Sequence, residues 1–308
     1  MKVKTIKAVI SKKHNEIVKS IEDPEVADVF NKSAIYTGGA IASMLSHERV
    51  NDFDVYFRSL AAVQVIAQYY IEQYRKQGSG ARGGAAGPTL AAVITEDLDG
   101  DRYCSIVIGG GGYATAGDDQ DPEVAEILEI EGETVEAGTG ADPDQDQDRP
   151  KYSPIYFTNN AITLSGGVQI VTRFHGDPAE IHENYDFEHC KGYYCPATGE
   201  FDISKAALES LLTRELFYTG SKYPLCSIIR TRKFIKRGWT INAGQYVKMA
   251  LQLNELQLTH LPTLRDQLTG VDISYFVQLL NHLEERQQDD PGFEVTTPYI
   301  IEVIDRIF

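Results

Sequence analysis

Two aspartates separated by one residue are the strongest candidates for chemistry in this 308-residue chain. Asp52, Phe53 and Asp54 lie in a segment that alternates polar and apolar residues, which is the pattern of a half-buried strand. Residues two apart on a strand share a face, so both carboxylates would point together while Phe53 enters the core. Such a pair predicts a site for Mg²⁺ or Mn²⁺, since these cations prefer oxygen ligands. The alternative is the solvated face of an edge strand.

Two glycines precede the aspartates and could hold phosphates beside them. Gly38 and Gly39 follow a short predicted strand and precede a predicted helix over 40–47. Because glycine has no Cβ, its backbone can approach a phosphate closely, and the first turn of a helix presents free N–H groups. We therefore predict that this turn binds the phosphates of a nucleoside triphosphate.

The elements that must position these residues follow from the periodicity of apolar side chains. Period-two patterns predict strands over 34–36, 52–57, 90–95, 103–108, 153–158, 161–164, 168–174 and 185–190. Helical periodicity predicts helices over 24–32, 40–47, 60–75 and 178–184, and it dominates after residue 203. The glycine turn would thus lie between a strand and a helix, directly before the strand that carries both aspartates.

Gly38 and Gly39, followed by Asp52-Phe53-Asp54, resemble the signature of the polymerase-β-like nucleotidyltransferase superfamily. The interval of twelve residues between Gly39 and Asp52 is similar to that of poly(A) polymerase and CCA-adding enzymes. Segments 185–190 and 227–239 resemble later parts of that branch in the same order, and the whole most resembles phage-encoded nucleotidyltransferases. The resemblance implies Mg²⁺- or Mn²⁺-dependent transfer of a nucleoside monophosphate from an NTP, such as ATP, to a hydroxyl group. The acceptor would be a nucleic-acid end, a protein or a small molecule.

The chain departs from the family pattern at two places. Ala42-Ser43 stands where the branch carries Arg-Asp, and Gln169 stands where an acid is expected. Asp186 lies between two aromatic residues and is expected to supply the third carboxylate instead, so we predict Asp52, Asp54 and Asp186 as catalytic and metal-binding residues. The departures also favour an alternative, in which a catalytically silent relative has a structural or assembly role in a phage particle.

The fold class that follows is α+β: a nucleotidyltransferase-type mixed sheet with helices, a β-rich and acidic insertion, and an all-helical C-terminal unit. Residues 1–76 and 151–202 form the predicted nucleotidyltransferase domain. Residues 77–150 form the insertion, with glycine- and proline-rich flanks, and residues 203–308 form the helical unit.

A basic stretch over 221–237 contains six Lys and Arg residues and no acid. Within it, Arg230, Lys233 and Arg237 are spaced to share one helix face. They would neutralise a triphosphate or bind a nucleic-acid backbone. A solvated basic face is the alternative.

The net charge of −16 arises mostly in residues 118–148, which contain thirteen acidic residues and no Lys or Arg. Acidity therefore describes one segment and does not exclude phosphate binding elsewhere. Because like charges repel phosphate, we expect this tract away from the nucleotide site, where it could meet a protein partner with a basic surface.

The sequence also predicts where the protein acts. No apolar run approaches the roughly 18 residues of a membrane span, and the N-terminal segment lacks the features of a secretory signal. Four cysteines in 308 residues do not make a disulfide framework, which favours a reducing compartment. We therefore expect no membrane partner and a cytoplasmic location, in the host cytoplasm if the chain is phage-encoded, or in the virion for the structural alternative.

Overall fold

The computed structural model describes residues 1–78, 89–97, 100–108, 113–115 and 150–268, together with 283, 286–289, 293 and 295–307. The described residues divide into two units, with the boundary between Thr213 and Arg214. The acidic tract over 118–148, and with it the predicted protein-binding surface, lies outside the described residues.

The first unit contains helices and two sheets. Its helices are α1 (Val3–Ser20), α2 (Pro24–Ser33), α3 (Gly39–Leu45), α4 (Leu60–Gly78), α5 (Pro178–Glu183) and α6 (Lys205–Thr213). Its strands are β1 (Ala34–Thr37), β2 (Phe53–Phe57), β3 (Leu90–Glu96), β4 (Arg102–Ile108), β5 (Tyr113–Thr115), β6 (Pro154–Thr158), β7 (Ala161–Leu164), β8 (Val168–His175), β9 (Tyr193–Cys195) and β10 (Glu200–Asp202).

The larger sheet has eight strands in the order β10-β9-β1-β2-β8-β7-β6-β5. Strands β2 and β8 pair in parallel, whereas β1 pairs antiparallel with both β2 and β9. The sheet is therefore mixed, and the predicted α+β fold class is confirmed. Strands β1, which leads into the glycine turn, and β2, which carries Asp54, are neighbours in the interior of the sheet.

The core of the first unit lies between this sheet and the long helices. Helix α1 buries Ile6, Ile10 and Ile17 on one face, as its apolar spacing requires. Helix α2 adds Phe30, which is fully buried and stacks edge-to-face on Phe57 of β2 with ring centroids 5.3 Å apart. Burial of each such side chain stabilises the fold by roughly 1.5–3 kcal/mol, which fixes β2 against the helices.

Helix α2 leads directly into β1 and so fixes the start of the glycine turn. Asp23 caps the helix by accepting hydrogen bonds from the backbone N–H groups of Glu25 and Val26 at 2.9 and 3.3 Å. Pro24 occupies the first helical position, where its missing N–H costs nothing. Strand β1 begins at Ala34, immediately after the last residue of α2, and all its residues are buried.

The predicted strand over 185–190 is wrong. Residues 188–190 form a 3₁₀ turn, Glu188–Cys190, in which the N–H of Lys191 donates to the carbonyl of Glu188 at 3.1 Å. A segment with alternating residues forms a strand only where the edge of another strand is free to pair with it. Strand β1 is already paired on both sides, by β2 and by β9, a short strand that the periodicity did not predict.

The described part of the insertion packs against the rest of the first unit. Strands β3 and β4 form an antiparallel hairpin, and its side chains Leu90, Cys104 and Ile106 are fully buried in the main core. Strand β5 joins the edge of the large sheet beside β6. The domain division at 77–150 remains a prediction, but removal of this hairpin would expose apolar core.

A buried ion pair ties the hairpin to the sheet. Arg173 of β8 donates from Nη2 to Oδ2 of Asp97 at 3.3 Å, and the two side chains are 5% and 8% exposed. Its guanidinium carbon lies 3.5 Å from the centroid of the Tyr103 ring. We expect Asp97→Ala to lower the free energy of unfolding by about 3 kcal/mol, because it removes a buried carboxylate that pairs with the buried Arg173 charge.

Urea unfolding measures this loss, with Glu96→Ala as the control. Glu96 is the neighbouring carboxylate and is exposed, so its removal should change stability by less than about 0.5 kcal/mol. Equal effects of the two substitutions would contradict an anchoring role for the buried pair.

The second unit is helical throughout its named elements. Its helices are α7 (Pro224–Lys236), α8 (Ala243–Asn254), α9 (Leu261–Leu268) and α10 (Thr297–Ile307). An apolar cluster that includes Leu264, Leu283 and Val303 forms its core. Of the helices that the structure describes, none combines the length and apolar composition that a bilayer crossing requires.

Candidate functional site

Strand β2 presents Asp54 next to a buried aromatic residue. Phe53 is 8% exposed and Val55 is fully buried, whereas Asp54 between them is half-buried. Asp52 directly precedes the strand and is exposed. The alternation of the strand therefore directs Asp54 to the side opposite Phe53 and Val55, whereas Asp52 lies just outside the strand, and its sharing of that face remains a prediction.

Gly38 lies directly against the carboxylate of Asp54. Its backbone has φ +100° and ψ −153°, a conformation that side-chain-bearing residues rarely adopt. A Cβ atom at Gly38 would lie 2.6 Å from Asp54 Oδ2. At Gly39, the first residue of α3, a Cβ atom would meet no heavy atom within 4 Å in the part of the chain that the structure describes, its chain neighbours aside. The turn thus brings bare backbone to one carboxylate and leaves open space beside it.

The remaining predicted acidic positions do not complete a three-carboxylate centre. Gln169 is the register partner of Asp54 in the parallel β2–β8 pair, so a neutral amide stands on the neighbouring strand. Asp186 lies in the bend after α5 and is 6% exposed. Among the described residues, no three His, Cys, Asp or Glu side chains come together as a metal site. Asp52, Asp54 and Asp186 are therefore not assembled into one three-ligand group.

Tyr185, the residue before Asp186, reaches the glycine turn instead. Its hydroxyl oxygen lies 3.4 Å from the position of a Cβ at Gly38, and that hydroxyl is buried. Burial raises the pKa of the Tyr185 phenol well above its usual value, and the nearby Tyr56 and Asp54 raise it further. The phenol therefore stays protonated beside Asp54 and can act as a hydrogen-bond donor.

Thr37 and His182 form the next layer behind this contact. The Thr37 hydroxyl donates to the carbonyl of Gly192 at 2.8 Å and lies 2.8 Å from Nε2 of His182. Because the single proton of the Thr37 hydroxyl is donated to Gly192, Nε2 of His182 must be the donor in its hydrogen bond with Thr37. The imidazole ring centroid is 5.1 Å from that of Tyr185, so the histidine also packs on the phenol.

The reasoning from sequence missed Thr37, His182 and Tyr185. A usable signal was present at Thr37, a polar residue at the end of an otherwise apolar strand and directly before the glycines. His182 and Tyr185 gave no such signal, because a histidine on a short helix and a tyrosine after it are ordinary core residues.

Burial, together with the nearby Lys191, lowers the pKa of His182 to about 4, against the opposing effects of Glu188 and Asp202. The folded-state pKa is below the unfolded value of about 6.5, so His182 stabilises the fold above pH 6.5. That contribution is lost as the pH falls from 6.5 towards 4. Burial lowers the pKa of His14 as well, so it acts in the same direction.

We therefore expect the fall in stability between pH 6.5 and 4 to be shallower in His182→Gln than in the wild type. Urea unfolding at a series of pH values measures the slope, and NMR titration of the ring should find it neutral at pH 7. A ring that titrates near pH 6.5 in the folded protein would contradict the buried, hydrogen-bonded placement.

The predicted basic residues belong to the second unit. Arg230 and Lys233 lie on α7 and are half-buried, and Arg237 follows the last residue of that helix as its C-cap. The Arg237 carbonyl accepts a hydrogen bond from Nη1 of Arg214 at 3.2 Å. Their role in binding a triphosphate or nucleic acid remains a prediction.

Comparison with known proteins gives a family. An α+β unit in which a Gly-Gly turn abuts a strand carboxylate is the arrangement that the nucleotidyltransferase resemblance implies. A family model described as "Gabija anti-defense 2 family protein" matches residues 8–214, more than half of the chain and nearly all of the first unit. The chain belongs to the Gabija anti-defense 2 family.

A curated relative and two solved structures are also similar. "Gabija anti-defense 2" of Bacillus phage SPbetaL7 is 24% identical over 119 residues, which cover 38% of this chain and 29% of the relative. A Thermotoga maritima CCA-adding enzyme complexed with tRNA matches with a TM-score of 0.36 and 12% identity, over 92% of this chain and 57% of that one. A Bacillus stearothermophilus CCA-adding enzyme in complex with CTP matches with a TM-score of 0.37 and 11% identity, over 86% and 51%. The chain thus spans less than two thirds of the length of each.

Proposed function

We propose that this protein counteracts Gabija defence in the cytoplasm of an infected cell, and that it does so as a nucleotidyltransferase. The observation that carries the proposal is the family match over residues 8–214, which includes Gly38, Asp54 and Tyr185. A relative with the same family description is a phage protein. Membership of the family supports the proposed anti-defence role, and the close approach of Asp54 to the glycine turn supports the proposed nucleotidyl transfer.

The reaction would move a nucleoside monophosphate from an NTP to an acceptor hydroxyl. A bond forms between the acceptor oxygen and the α-phosphorus, the bond from the α-phosphorus to the bridging oxygen breaks, and pyrophosphate leaves. The acceptor's proton passes to a carboxylate or to water. Asp186 remains the proposed third carboxylate for that proton, acting from its buried bend.

The donor set near the turn fits Mg²⁺ or Mn²⁺ bound together with a nucleotide. One or two protein carboxylates, with phosphates and waters, are the usual ligands of Mg²⁺ at such sites, and Asp52 and Asp54 are the pair available. The bound cation would supply positive charge to offset the triphosphate and the departing pyrophosphate. Gly38 would let the β- and γ-phosphates approach its backbone, since any side chain there would strike Asp54.

The proposed partners follow from charge. The basic stretch over 221–237, with Arg230, Lys233 and Arg237, would bind a triphosphate or a nucleic-acid acceptor. The acidic tract over 118–148 would meet a basic protein surface, with an attraction that weakens as salt is added.

The decisive experiment has a biochemical arm and a cellular arm. The purified chain is incubated with each labelled NTP, with Mg²⁺ or Mn²⁺, and with RNA, DNA or extract from Bacillus cells that carry Gabija. We expect metal-dependent labelling of one acceptor class and, in cells that express the chain, restored plating of a Gabija-sensitive phage. Failure to restore plating would overturn the anti-defence role. Plating without labelling would overturn the enzymatic one.

A second candidate is a catalytically silent protein that opposes Gabija by binding alone. The neutral Gln169 beside Asp54 favours it, because two carboxylates with an amide attract a cation less strongly than three carboxylates. The two candidates differ in whether anti-defence survives the loss of Asp52 and Asp54.

A further inference from the structure

The space left by the absent Gly38 side chain is bordered by two groups. A Cβ atom there would lie 2.6 Å from Asp54 Oδ2, 3.5 Å from Asp54 Cγ and 3.4 Å from the hydroxyl oxygen of Tyr185. The carboxylate and the phenol therefore approach the same point beside the glycine turn. Tyr185 is the nearest side chain to this point after Asp54 itself.

The Tyr185 side chain is held by the elements that carry the turn and the aspartate. It packs against a buried cluster that contains Ile35 of β1, Tyr56 of β2 and Ile181 of α5. Its ring centroid lies 6.0 Å from that of Tyr56, so the two aromatic rings pack together. Strand β1 leads directly into Gly38 and strand β2 contains Asp54, so the phenol has a fixed position relative to both.

We propose that Tyr185 is a positioning residue, which orients the Asp54 carboxylate beside Gly38 for binding a divalent cation. The proposal rests on the function proposed above. Carboxylates that bind metals are themselves held by hydrogen bonds, and loss of such a partner typically weakens metal binding. The phenol of Tyr185 is the nearest side-chain donor to the point that Asp54 Oδ2 approaches beside Gly38, and it would hold the carboxylate in this way when a cation binds.

The test is Mn²⁺ binding to the full chain, measured by electron paramagnetic resonance in the wild type, Tyr185→Phe and Tyr193→Phe. We expect Tyr185→Phe to weaken binding about 10-fold and Tyr193→Phe to change it less than about 2-fold. Tyr193 is the matched control because its ring also neighbours His182, at 5.8 Å, while its hydroxyl donates to Glu200 at 2.7 Å. Equal binding by the two variants would overturn the proposal.

A second readout separates positioning from stability. With Tyr185→Phe, nucleotidyl transfer should approach the wild-type rate as Mn²⁺ is raised to saturation. A deficit of the same size at every Mn²⁺ concentration would show a merely structural role and would overturn the proposal.

The wild type supplies an independent measurement if Tyr185→Phe fails to fold. With ¹³C-labelled tyrosine, Mg²⁺ should shift the Cζ signal of Tyr185 and leave that of Tyr193 in place, and an unshifted Tyr185 signal would overturn the proposal. If the wild type binds no Mn²⁺ at all, the metal site of the proposed function fails, and this inference fails with it. Wild-type binding that Tyr185→Phe leaves intact refutes the inference alone.

Discussion

The double substitution Asp52→Asn and Asp54→Asn is expected to abolish metal-dependent nucleotidyl transfer and, with it, the restored plating of phage on Gabija cells. Both changes keep the size of the side chain and remove its charge. Asp52 is exposed and Asp54 half-buried, so the fold should remain cooperative. Removing one polar or charged group that stabilises a transition state commonly lowers the reaction rate by about 100-fold or more. Here both carboxylates of the pair are removed.

The matched control is Asp28→Asn on α2. Asp28 pairs with Lys32 at 2.7 Å, and its side chain is 55% exposed, so this change removes a carboxylate from a solvated helix face. Exposed pairs of this kind contribute about 0.3–0.5 kcal/mol, so transfer and plating should stay at wild-type levels. If the double variant still restores plating, the protein opposes Gabija by binding alone, and the catalytically silent candidate is correct.

Gly38→Ala is expected to have the second-largest effect, on both stability and activity. The backbone at Gly38 has φ +100°, a region that costs a residue with a side chain about 1–3 kcal/mol. The new Cβ would also lie 2.6 Å from Asp54 Oδ2, which is closer than atoms can approach, so the carboxylate must move. A displacement of about 1 Å in a reacting geometry can cost about 100-fold, and we expect a loss of transfer of that order.

Gly39→Ala is the control, because it adds the same methyl group at the neighbouring position without the close approach to Asp54. Among the described residues, no atom beyond its own chain neighbours lies within 4 Å of a Cβ at Gly39, and the residue is already helical, where alanine is favoured over glycine. Its thermal stability should equal or slightly exceed that of the wild type, as measured by calorimetry. Equal melting temperatures of the two alanine variants would contradict the close approach at Gly38.

The local arrangement around the glycines was predictable from sequence, for a physical reason. Strand β1, the Gly-Gly turn, helix α3 and strand β2 are consecutive in the chain, and their apolar periodicities predicted each of them to within a few residues. The positive φ at Gly38 and the alternation of buried and exposed side chains along β2 are local properties of the chain. The contact between Gly38 and Asp54 follows from them, whereas the position of Gln169 beside Asp54 depends on the pairing of β2 with the distant strand β8.

The contribution of the 185–190 segment was decided only by the tertiary structure. Its alternating residues predicted a strand with Asp186 as the third acid, whereas both edges of β1 are occupied by β2 and β9, and the segment turns instead. That turn places the Tyr185 hydroxyl at the glycines and buries Asp186. Which strands fill an edge depends on pairing between distant segments, and no local pattern records it.

The insertion illustrates the same division between local and tertiary information. Glycine-rich flanks and the acidic run over 118–148 are properties of composition, and the two strands of its hairpin were readable from periodicity. The sequence did not reveal that Leu90 and Ile106 complete the core of the first unit, or that Asp97 neutralises Arg173. Sequence determines which side chains are apolar or charged, but their partners are chosen by close packing across the whole fold, because each buried group must find its complement there.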